Sequence, residues 1–266
     1  MEVVRARGLE IAYRRVGDGP PLVLVHGAAD DGRVWQPQLA ALADEFTVVA
    51  WDEPGAGRSS DVPADFQLAD YASCLAAMIE ALGLGPAHVA GHSWGSTVVQ
   101  ELYRHHPELV ATLILIGAYA GWKGSLPPDE VAVRVTGVQE MLSAPANEFD
   151  PGVPGLFAGE PPAEFAPLLE EIATDVRPKS LETQLFLMAD ADERGLLPRI
   201  AVPTLLIWGE LDTRSTLSVA RQFERTIPDT ELVVIPDAGH LCHLEQPDQV
   251  NEAVRGFCRA RSSRPA

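Results

Sequence analysis

The chain has 266 residues, 46% of them hydrophobic and 22% charged, as in folded globular proteins and unlike disordered ones. Its 20 Lys and Arg against 38 Asp and Glu give a net charge of −18, which argues against nucleic acid and membrane surfaces as partners and favours small molecules. No apolar run is long enough for a membrane helix, and the N-terminus lacks a signal-peptide pattern, so a cytoplasmic protein is expected.

Short apolar runs alternate with longer helical patterns, which is typical of strand–helix–strand units around a mostly parallel sheet. In chain order, strands are predicted at residues 11–16, 22–26, 47–51, 87–90, 111–116, 204–208 and 231–235. Helices are predicted at residues 34–43, 68–82, 94–106, 164–173, 181–189, 216–226 and 247–260. Because several strands are almost wholly apolar, helices are expected on both faces of the sheet.

The alternation stops between residues 121 and 198, where prolines are frequent. Proline at this density divides a segment into short helices. Because strands resume afterwards, residues 121–198 are predicted to form a helical cap. The cap would be inserted into one core domain made of residues 1–120 and 199–266.

The stretch VAGHSWGSTVVQ, residues 89–100, places Ser93 between a predicted strand and a predicted helix. A serine hydroxyl needs an adjacent base to act as a nucleophile, and a tight strand-to-helix turn projects it clear of the backbone. Gly91 and Gly95 leave room for such a turn, and the helix start directs free N–H groups to the place where an oxyanion would develop. Ser93 is the predicted nucleophile.

Four further motifs, LVLVHGAAD, WDEPGAGRSSD, PTLLIWGELD and DAGHLCHLEQPDQV, accompany this turn. With them, nearly the whole chain resembles a capped α/β-hydrolase. The resemblance implies an α/β fold with a mostly parallel central sheet flanked by helices and a helical cap insertion. No dinucleotide-binding fingerprint or metal cluster is found in the sequence, so neither cofactor nor metal is expected.

The family order of nucleophile, acid and histidine implies the partners of Ser93. His240 follows the last predicted strand in a Gly-His loop and is the predicted general base. Asp212 follows the penultimate strand and is the predicted acid, with Glu210 as its rival. His92, next to the nucleophile, is interpreted as a packing residue.

Two backbone N–H groups are expected to bind the oxyanion of an acyl-transfer intermediate. One is that of Trp94, and the other is that of Ala28, with Ala29 as the second choice. Asp52 and Glu53, in the motif WDEPGAGRSSD, are interpreted as holding their loop rather than as catalytic.

Apolar residues near the predicted sheet edge and in the cap favour a slot for an apolar acyl or alcohol group. The predicted pocket residues are Trp35, Trp122, Leu126, Met141 and Phe157. Lys123 and Arg134 are isolated cations in an acidic chain, so no basic cluster for a phosphate or coenzyme A is expected.

The predicted function is a serine hydrolase that cleaves a small ester or lactone through an acyl-enzyme on Ser93. The alternatives are a ligand receptor with slow turnover, a biosynthetic acyl-transfer or cyclising enzyme, a peptidase similar to proline iminopeptidases, and a carbon–carbon bond hydrolase. A serine nucleophile argues against family branches that use aspartate, and the loop HGAADDG lacks glycines usual in the last two classes. The oligomeric state is left open.

Overall fold

An eight-stranded sheet forms the centre of the computed structural model, which describes residues 1–143 and 154–262. The strands are β1 (Glu2–Ala6), β2 (Leu9–Val16), β3 (Pro21–Val25), β4 (Thr47–Trp51), β5 (Ala87–His92), β6 (Val110–Ile116), β7 (Thr204–Gly209) and β8 (Thr230–Ile235). Their order across the sheet is β1-β2-β4-β3-β5-β6-β7-β8. β2 pairs antiparallel with β1 and β4, and the other pairs are parallel. The predicted mostly parallel sheet is confirmed.

Ten α-helices connect or flank these strands in the described part of the chain. They are α1 (Gln36–Leu42), α2 (Leu68–Ala81), α3 (Trp94–His105), α4 (Trp122–Ser125), α5 (Pro128–Ser143), α6 (Ala166–Asp175), α7 (Pro178–Asp190), α8 (Leu217–Thr226), α9 (Cys242–Glu245) and α10 (Pro247–Ser262). Each helix predicted from the sequence has a counterpart among them. Within residues 1–143 and 154–262, no helix is long and apolar enough to cross a membrane.

The sheet has a hydrophobic core on each face. Leu22 and Leu24 of β3 pack in one buried cluster with side chains of α1 and α10. Val23 and Val25 pack in the other, with side chains of α2, α3 and α8. Successive residues of a strand point to opposite faces, so a continuous apolar run serves both cores. Each such fully buried side chain stabilises the fold by about 1.5–3 kcal/mol.

Helices α4 to α7 lie between β6 and β7, where the cap was predicted. Arg33 in the body connects to α6, because its Nη2 atom donates to Asp31 and to Asp175, both at 2.6 Å. Arg177, at the start of α7, donates to Asp61 and to the carbonyl oxygen of Ser59. These contacts fix the inserted helices over the carboxyl ends of the strands. The boundaries 121–198 for a separate cap remain a prediction.

Besides the short helices α4 and α9, the strand β1 and the helix α5 were not predicted from the sequence. β1 is a largely exposed edge strand that pairs with β2 in a hairpin, in which Arg7 and Gly8 both have positive φ. α5 contains Gly137 and three exposed or half-buried valines, which disfavour a helix on local propensity. Packing against α7 stabilises it instead.

Candidate active site

Ser93 occupies the sharp turn between β5 and α3. Its backbone has φ 51° and ψ −116°, a conformation that costs a non-glycine residue on the order of 1–3 kcal/mol. The N–H of Ser93 donates to the carbonyl of Ile116 at 3.0 Å, and the carbonyl of Ser93 accepts from the N–H of Ser96 at 3.0 Å. The sheet and the helix therefore hold the strained turn from both sides and present the side chain at the carboxyl edge.

Gly91 and Gly95 permit this turn because neither position has room for a side chain. A Cβ atom on Gly91 would lie 2.5 Å from the carbonyl oxygen of Gly95. A Cβ atom on Gly95 would lie 2.4 Å from the carbonyl oxygen of His26 and 2.5 Å from that of Val25. Helix α3 thus packs directly on the backbone of β3.

His240 and Asp212, in the loops after β8 and β7, form a buried hydrogen-bonded pair. Nδ1 of His240 lies 2.8 Å from Oδ2 of Asp212, and the two side chains are 1% and 0% exposed. The other carboxylate oxygen, Oδ1, accepts the backbone N–H groups of Arg214 at 2.8 Å and Ser215 at 2.9 Å. A carboxylate at Nδ1 favours a proton there, which leaves Nε2 as the acceptor. Nε2 is buried and has no hydrogen-bond partner among the described residues.

Gly117, at the end of β6, makes space for this pair. Its φ is +50°, and a Cβ atom there would lie 3.1 Å from Nδ1 of His240 and 3.4 Å from Oδ2 of Asp212. The rival acid, Glu210, is exposed. The geometry therefore brings Asp212 to the histidine and leaves Glu210 on the surface.

A cleft at this edge is lined by both Ser93 and His240. Its apolar wall consists of four residues from the segment between β6 and β7, namely Trp122, Leu156, Leu185 and Met188. Its polar lining includes Asp30, His92, Tyr119 and Arg214. The room left for water is about 30 Å³, whereas one water molecule needs roughly 10–15 Å³. The space in the cleft is thus enough for two or three water molecules.

Of the five predicted pocket residues, Trp122 lines this cleft, and the other four lie elsewhere in the fold. Trp35 is fully buried under the loop after β8, with its ring centroid 4.5 Å from that of His243. Leu126 and Met141 pack against the core on the α2 and α3 side, and Phe157 packs against the opposite core. Sequence spacing placed these residues near the edge of the sheet but could not give the direction of their side chains.

Of the two predicted oxyanion donors, Trp94 follows Ser93 in the chain and Ala28 belongs to the cleft lining. Trp94 is the first residue of α3, where an N–H group has no acceptor within the helix. Ala28 is half-buried and lines the cleft, and Ala29 has a positive φ of 63° where the loop turns. His26 braces this loop, because its Nδ1 lies 2.8 Å from the carbonyl of Gly27. A carbonyl accepts only, so His26 donates from Nδ1 and its Nε2 accepts from another group.

Glu53 connects the nucleophile turn to the inserted helices. Its backbone N–H donates to Nε2 of His26 at 3.1 Å. Its buried carboxyl accepts from the indole Nε1 of Trp94, at 3.0 and 2.8 Å to its two oxygens, and from Nε2 of Gln184 on α7. Burial raises the pKa of this carboxyl well above its ordinary value, although the Trp94 hydrogen bond acts in the opposite direction. Glu53 therefore contacts more than the loop that the sequence suggested.

His92 supports the backbone of the candidate general base. Its Nε2 lies 3.0 Å from the carbonyl oxygen of His240, so this nitrogen carries the proton and donates. Burial lowers the pKa of His92 well below its ordinary value, and the neighbouring His243 and His240 add to this effect. The ring is neutral and holds the His240 loop in place, in agreement with a packing role.

Arg214 and Tyr119 are polar cleft residues that the sequence analysis missed. Arg214 stands two residues after Asp212, so the acid's own loop was the available signal. Burial raises the pKa of Tyr119 to about 12, and its hydroxyl accepts from Arg134 of α5 at 3.1 Å. No group of His, Cys, Asp and Glu side chains in the described ranges could hold a metal ion.

Known proteins with similar sequences and structures were identified by comparison. The chain is 32% identical over 248 residues to the dihydrolipoyllysine-residue acetyltransferase component of an acetoin cleaving system from Pseudomonas putida, covering 91% of this chain and 64% of that protein. It is 27% identical over 257 residues to an (E)-2-((N-methylformamido)methylene)succinate hydrolase from Acinetobacter baylyi, covering 92% of each. A malate-bound thermophilic esterase from Thermogutta terrifontis superposes with a TM-score of 0.84 at 29% identity, covering 98% of this chain and 99% of the esterase.

The family model described as the alpha/beta hydrolase family matches residues 22–253. The matched region extends from β3 to α10 and includes the Ser93 turn and the loops of Asp212 and His240. The chain belongs to the alpha/beta hydrolase family.

Proposed function

We propose that this protein is a serine hydrolase that cleaves a carboxylic ester or lactone of a small, largely apolar substrate through an acyl-enzyme on Ser93. One observation carries the proposal: the buried Asp212–His240 hydrogen bond lies at the cleft that Ser93 lines. The similarity to the Thermogutta esterase, at 29% identity, supports ester bonds as the target. The Acinetobacter relative, named as a hydrolase of a succinate derivative, supports hydrolysis more generally.

In the proposed reaction, Oγ of Ser93 attacks the carbonyl carbon while Nε2 of His240 takes the hydroxyl proton. Asp212 keeps the other proton on Nδ1 and stabilises the imidazolium that forms. The backbone N–H groups of Trp94 and Ala28 donate to the oxyanion, and each such donor typically contributes about 10²- to 10³-fold to turnover. His240 then gives its proton to the leaving alcohol. In the second half, Nε2 of His240 takes a proton from water, which attacks the acyl carbon, and the proton passes to Oγ of Ser93 as the acid leaves.

Substrate entry requires the cleft to open. A space of about 30 Å³ is too small for an ester, and Leu185 and Met188 of α7 belong to its lining. We place the enzyme in the cytoplasm, acting on a small-molecule ester or lactone without a metal or cofactor. The buried thiols of Cys74, Cys242 and Cys258 suit a reducing compartment.

A fluorophosphonate probe tests the nucleophile. Folded wild-type protein should be labelled on the peptide that contains Ser93, and Ser93→Ala should not be labelled. Ser218→Ala, at an exposed serine on α8, is the matched control and should be labelled like the wild type. A panel of p-nitrophenyl esters, lactones and aminoacyl amides of varied chain length then gives the bond type. Absence of both labelling and hydrolysis in the folded protein would contradict the proposal.

A further inference from the structure

The cleft contains two ionisable side chains that the proposed ester chemistry does not use. Asp30 and Arg214 both line it together with Ser93 and His240. Arg214 is the one Lys or Arg among the described residues that form the lining. A cation at this place is notable because the chain carries a net charge of −18 and the sequence predicted no basic group for the pocket.

The Arg214 guanidinium forms no ion pair with a carboxylate of residues 1–143 or 154–262. It makes one hydrogen bond there, from Nη1 to the carbonyl oxygen of Pro154 at 3.1 Å. A guanidinium has five N–H donors, so most of its donors remain available. Burial lowers the pKa of the half-buried Arg214, but an arginine keeps its charge near neutral pH.

Two nearby acidic groups are engaged elsewhere, and the pKa of the third is raised. Asp212 holds His240 and two backbone N–H groups, as described above. Glu130 pairs with Arg134 at 2.6 Å. For Asp30, burial and then the charge of Asp31 raise the pKa of the carboxyl well above its ordinary value, which favours its neutral form. The cleft therefore offers a positive charge that these groups do not neutralise.

The loop fixes the backbone of Arg214 relative to the general base. Oδ1 of Asp212 accepts the backbone N–H of Arg214 at 2.8 Å while Oδ2 contacts His240. The carbonyl of Arg214 accepts from Nη2 of Arg134 at 2.7 Å, which ties the loop to α5. The Arg214 side chain therefore extends from a backbone that is held next to the general base.

We propose that Arg214 binds a carboxylate on the substrate, so that the natural substrate is an ester or lactone with an apolar body and one free carboxylate. This inference rests on the proposed hydrolase function and specifies its substrate class. The planar fork of a guanidinium matches the two oxygens of a carboxylate. A phosphate dianion fits less well, because a single arginine would leave its second charge without a partner in the cleft.

Two ester pairs that differ only in this charge test the proposal. In the first pair the charge is on the acyl side: 4-nitrophenyl hydrogen adipate is compared with its terminal carboxamide. In the second it is on the alcohol side: 4-acetoxybenzoate is compared with 4-acetoxybenzamide. The ratio of kcat/KM for the charged and the neutral ester is measured in the wild type and in Arg214→Gln, Arg214→Lys and Arg221→Gln. Arg221 is the matched control, since it is exposed on α8 and pairs with Glu224 at 2.7 Å.

For at least one pair, the wild type should prefer the charged ester, and Arg214→Gln should lower that ratio by about 10- to 100-fold, mainly through KM. Arg214→Lys should keep part of the preference, and Arg221→Gln all of it. Turnover of the neutral esters by Arg221→Gln should match the wild type, and melting temperatures show that the Arg214 variants fold. A wild-type ratio near one for both pairs, with active hydrolysis of neutral esters, would overturn the carboxylate assignment and leave the hydrolase proposal intact.

Binding to Ser93→Ala, measured by calorimetry, separates recognition from catalysis. Ser93→Ala should bind a charged ester more tightly than the corresponding amide, and the double variant Ser93→Ala/Arg214→Gln should bind both equally. This result would support the assignment even if no ester is turned over. Equal binding of the two members of both pairs would overturn it.

Discussion

Asp212 accepts a hydrogen bond from Nδ1 of His240 with one oxygen and two backbone N–H groups with the other. This division of the two oxygens determines the effect of Asp212→Asn. The amide oxygen of Asn must face the N–H groups of Arg214 and Ser215, so its NH₂ group faces His240. Nδ1 then has to accept, and the proton moves to Nε2, where it blocks the base.

We expect Asp212→Asn to lower kcat by about 10³- to 10⁴-fold with little change in the melting temperature. The measurement is steady-state hydrolysis of a p-nitrophenyl ester. Glu210→Gln is the control and should retain wild-type turnover, because Glu210 is exposed. The reverse result, an inactive Glu210→Gln and an active Asp212→Asn, would show that the acid is assigned to the wrong residue.

Gly117→Ala should impair activity by disturbing the Asp212–His240 pair. The substitution places a methyl group 3.1 Å from Nδ1 of His240 at a residue with positive φ. The ring or the loop must shift, and we expect turnover to fall at least about 10-fold, since small displacements of a catalytic group are costly. Gly137→Ala in α5 is the matched control, because nothing lies within 4 Å of its Cβ position. It should leave turnover unchanged and stabilise the helix by up to about 1 kcal/mol. Equal turnover in both variants would contradict the close contact at Gly117.

Trp122→Phe and Trp35→Phe distinguish the observed cleft from the pocket expected from sequence. Both indoles are buried, and neither Nε1 has a hydrogen-bond partner among the described residues, so each substitution removes mainly volume. Trp122 lines the cleft, and its replacement should shift the preference towards longer acyl chains. Trp35 packs on His243, and its replacement should cost about 1–3 kcal/mol of stability without a change in chain-length preference. A shift of the chain-length preference in Trp35→Phe would show that Trp35 contacts the substrate, as the sequence predicted.

The sheet and the turn around Ser93 were accessible from sequence because their signals are local, whereas Asp212 and His240 were predicted from the resemblance to capped α/β-hydrolases. The strands predicted from apolar runs all occur in the sheet, and the turn around Ser93 is marked by two glycines that are sterically required. The loops after β7 and β8 follow from the parallel strand order. The proposed roles of Ser93, Asp212 and His240 themselves await the experiments above.

The cleft lining was not accessible in the same way, because it depends on how the inserted helices pack. In the sequence, Leu185 and Met188 look like any apolar residues on the buried face of a helix. They line the cleft with Ser93 because α7 packs over the sheet. Arg214 was visible two residues after Asp212, but the direction of its side chain was not. β1 was missed because an edge strand needs no apolar run when its pairing with β2 supplies the stability.

The buried carboxyl of Glu53 should make stability depend on pH in a defined direction. Burial raises its pKa in the folded protein above the ordinary value of 4.5, so the folded state binds more protons than the unfolded state above that pH. The contribution of Glu53 to the free energy of unfolding is therefore fully present below about pH 4.5. It is lost as the pH rises towards the pKa of Glu53 in the folded protein. Glu53→Gln cannot titrate, and the difference in unfolding free energy between wild type and variant isolates the effect.

We expect the wild type to lose stability relative to Glu53→Gln as the pH is raised from 4.5 to 8, measured by urea unfolding at each pH. Glu80→Gln, at an exposed glutamate of α2, is the control and should follow the wild type across this range. A wild type that gains stability relative to Glu53→Gln over the same range would mean that the hydrogen bonds from Trp94 and Gln184 outweigh burial. In that case the folded state would hold Glu53 as a carboxylate, and a negative charge would stand beside the turn of Ser93.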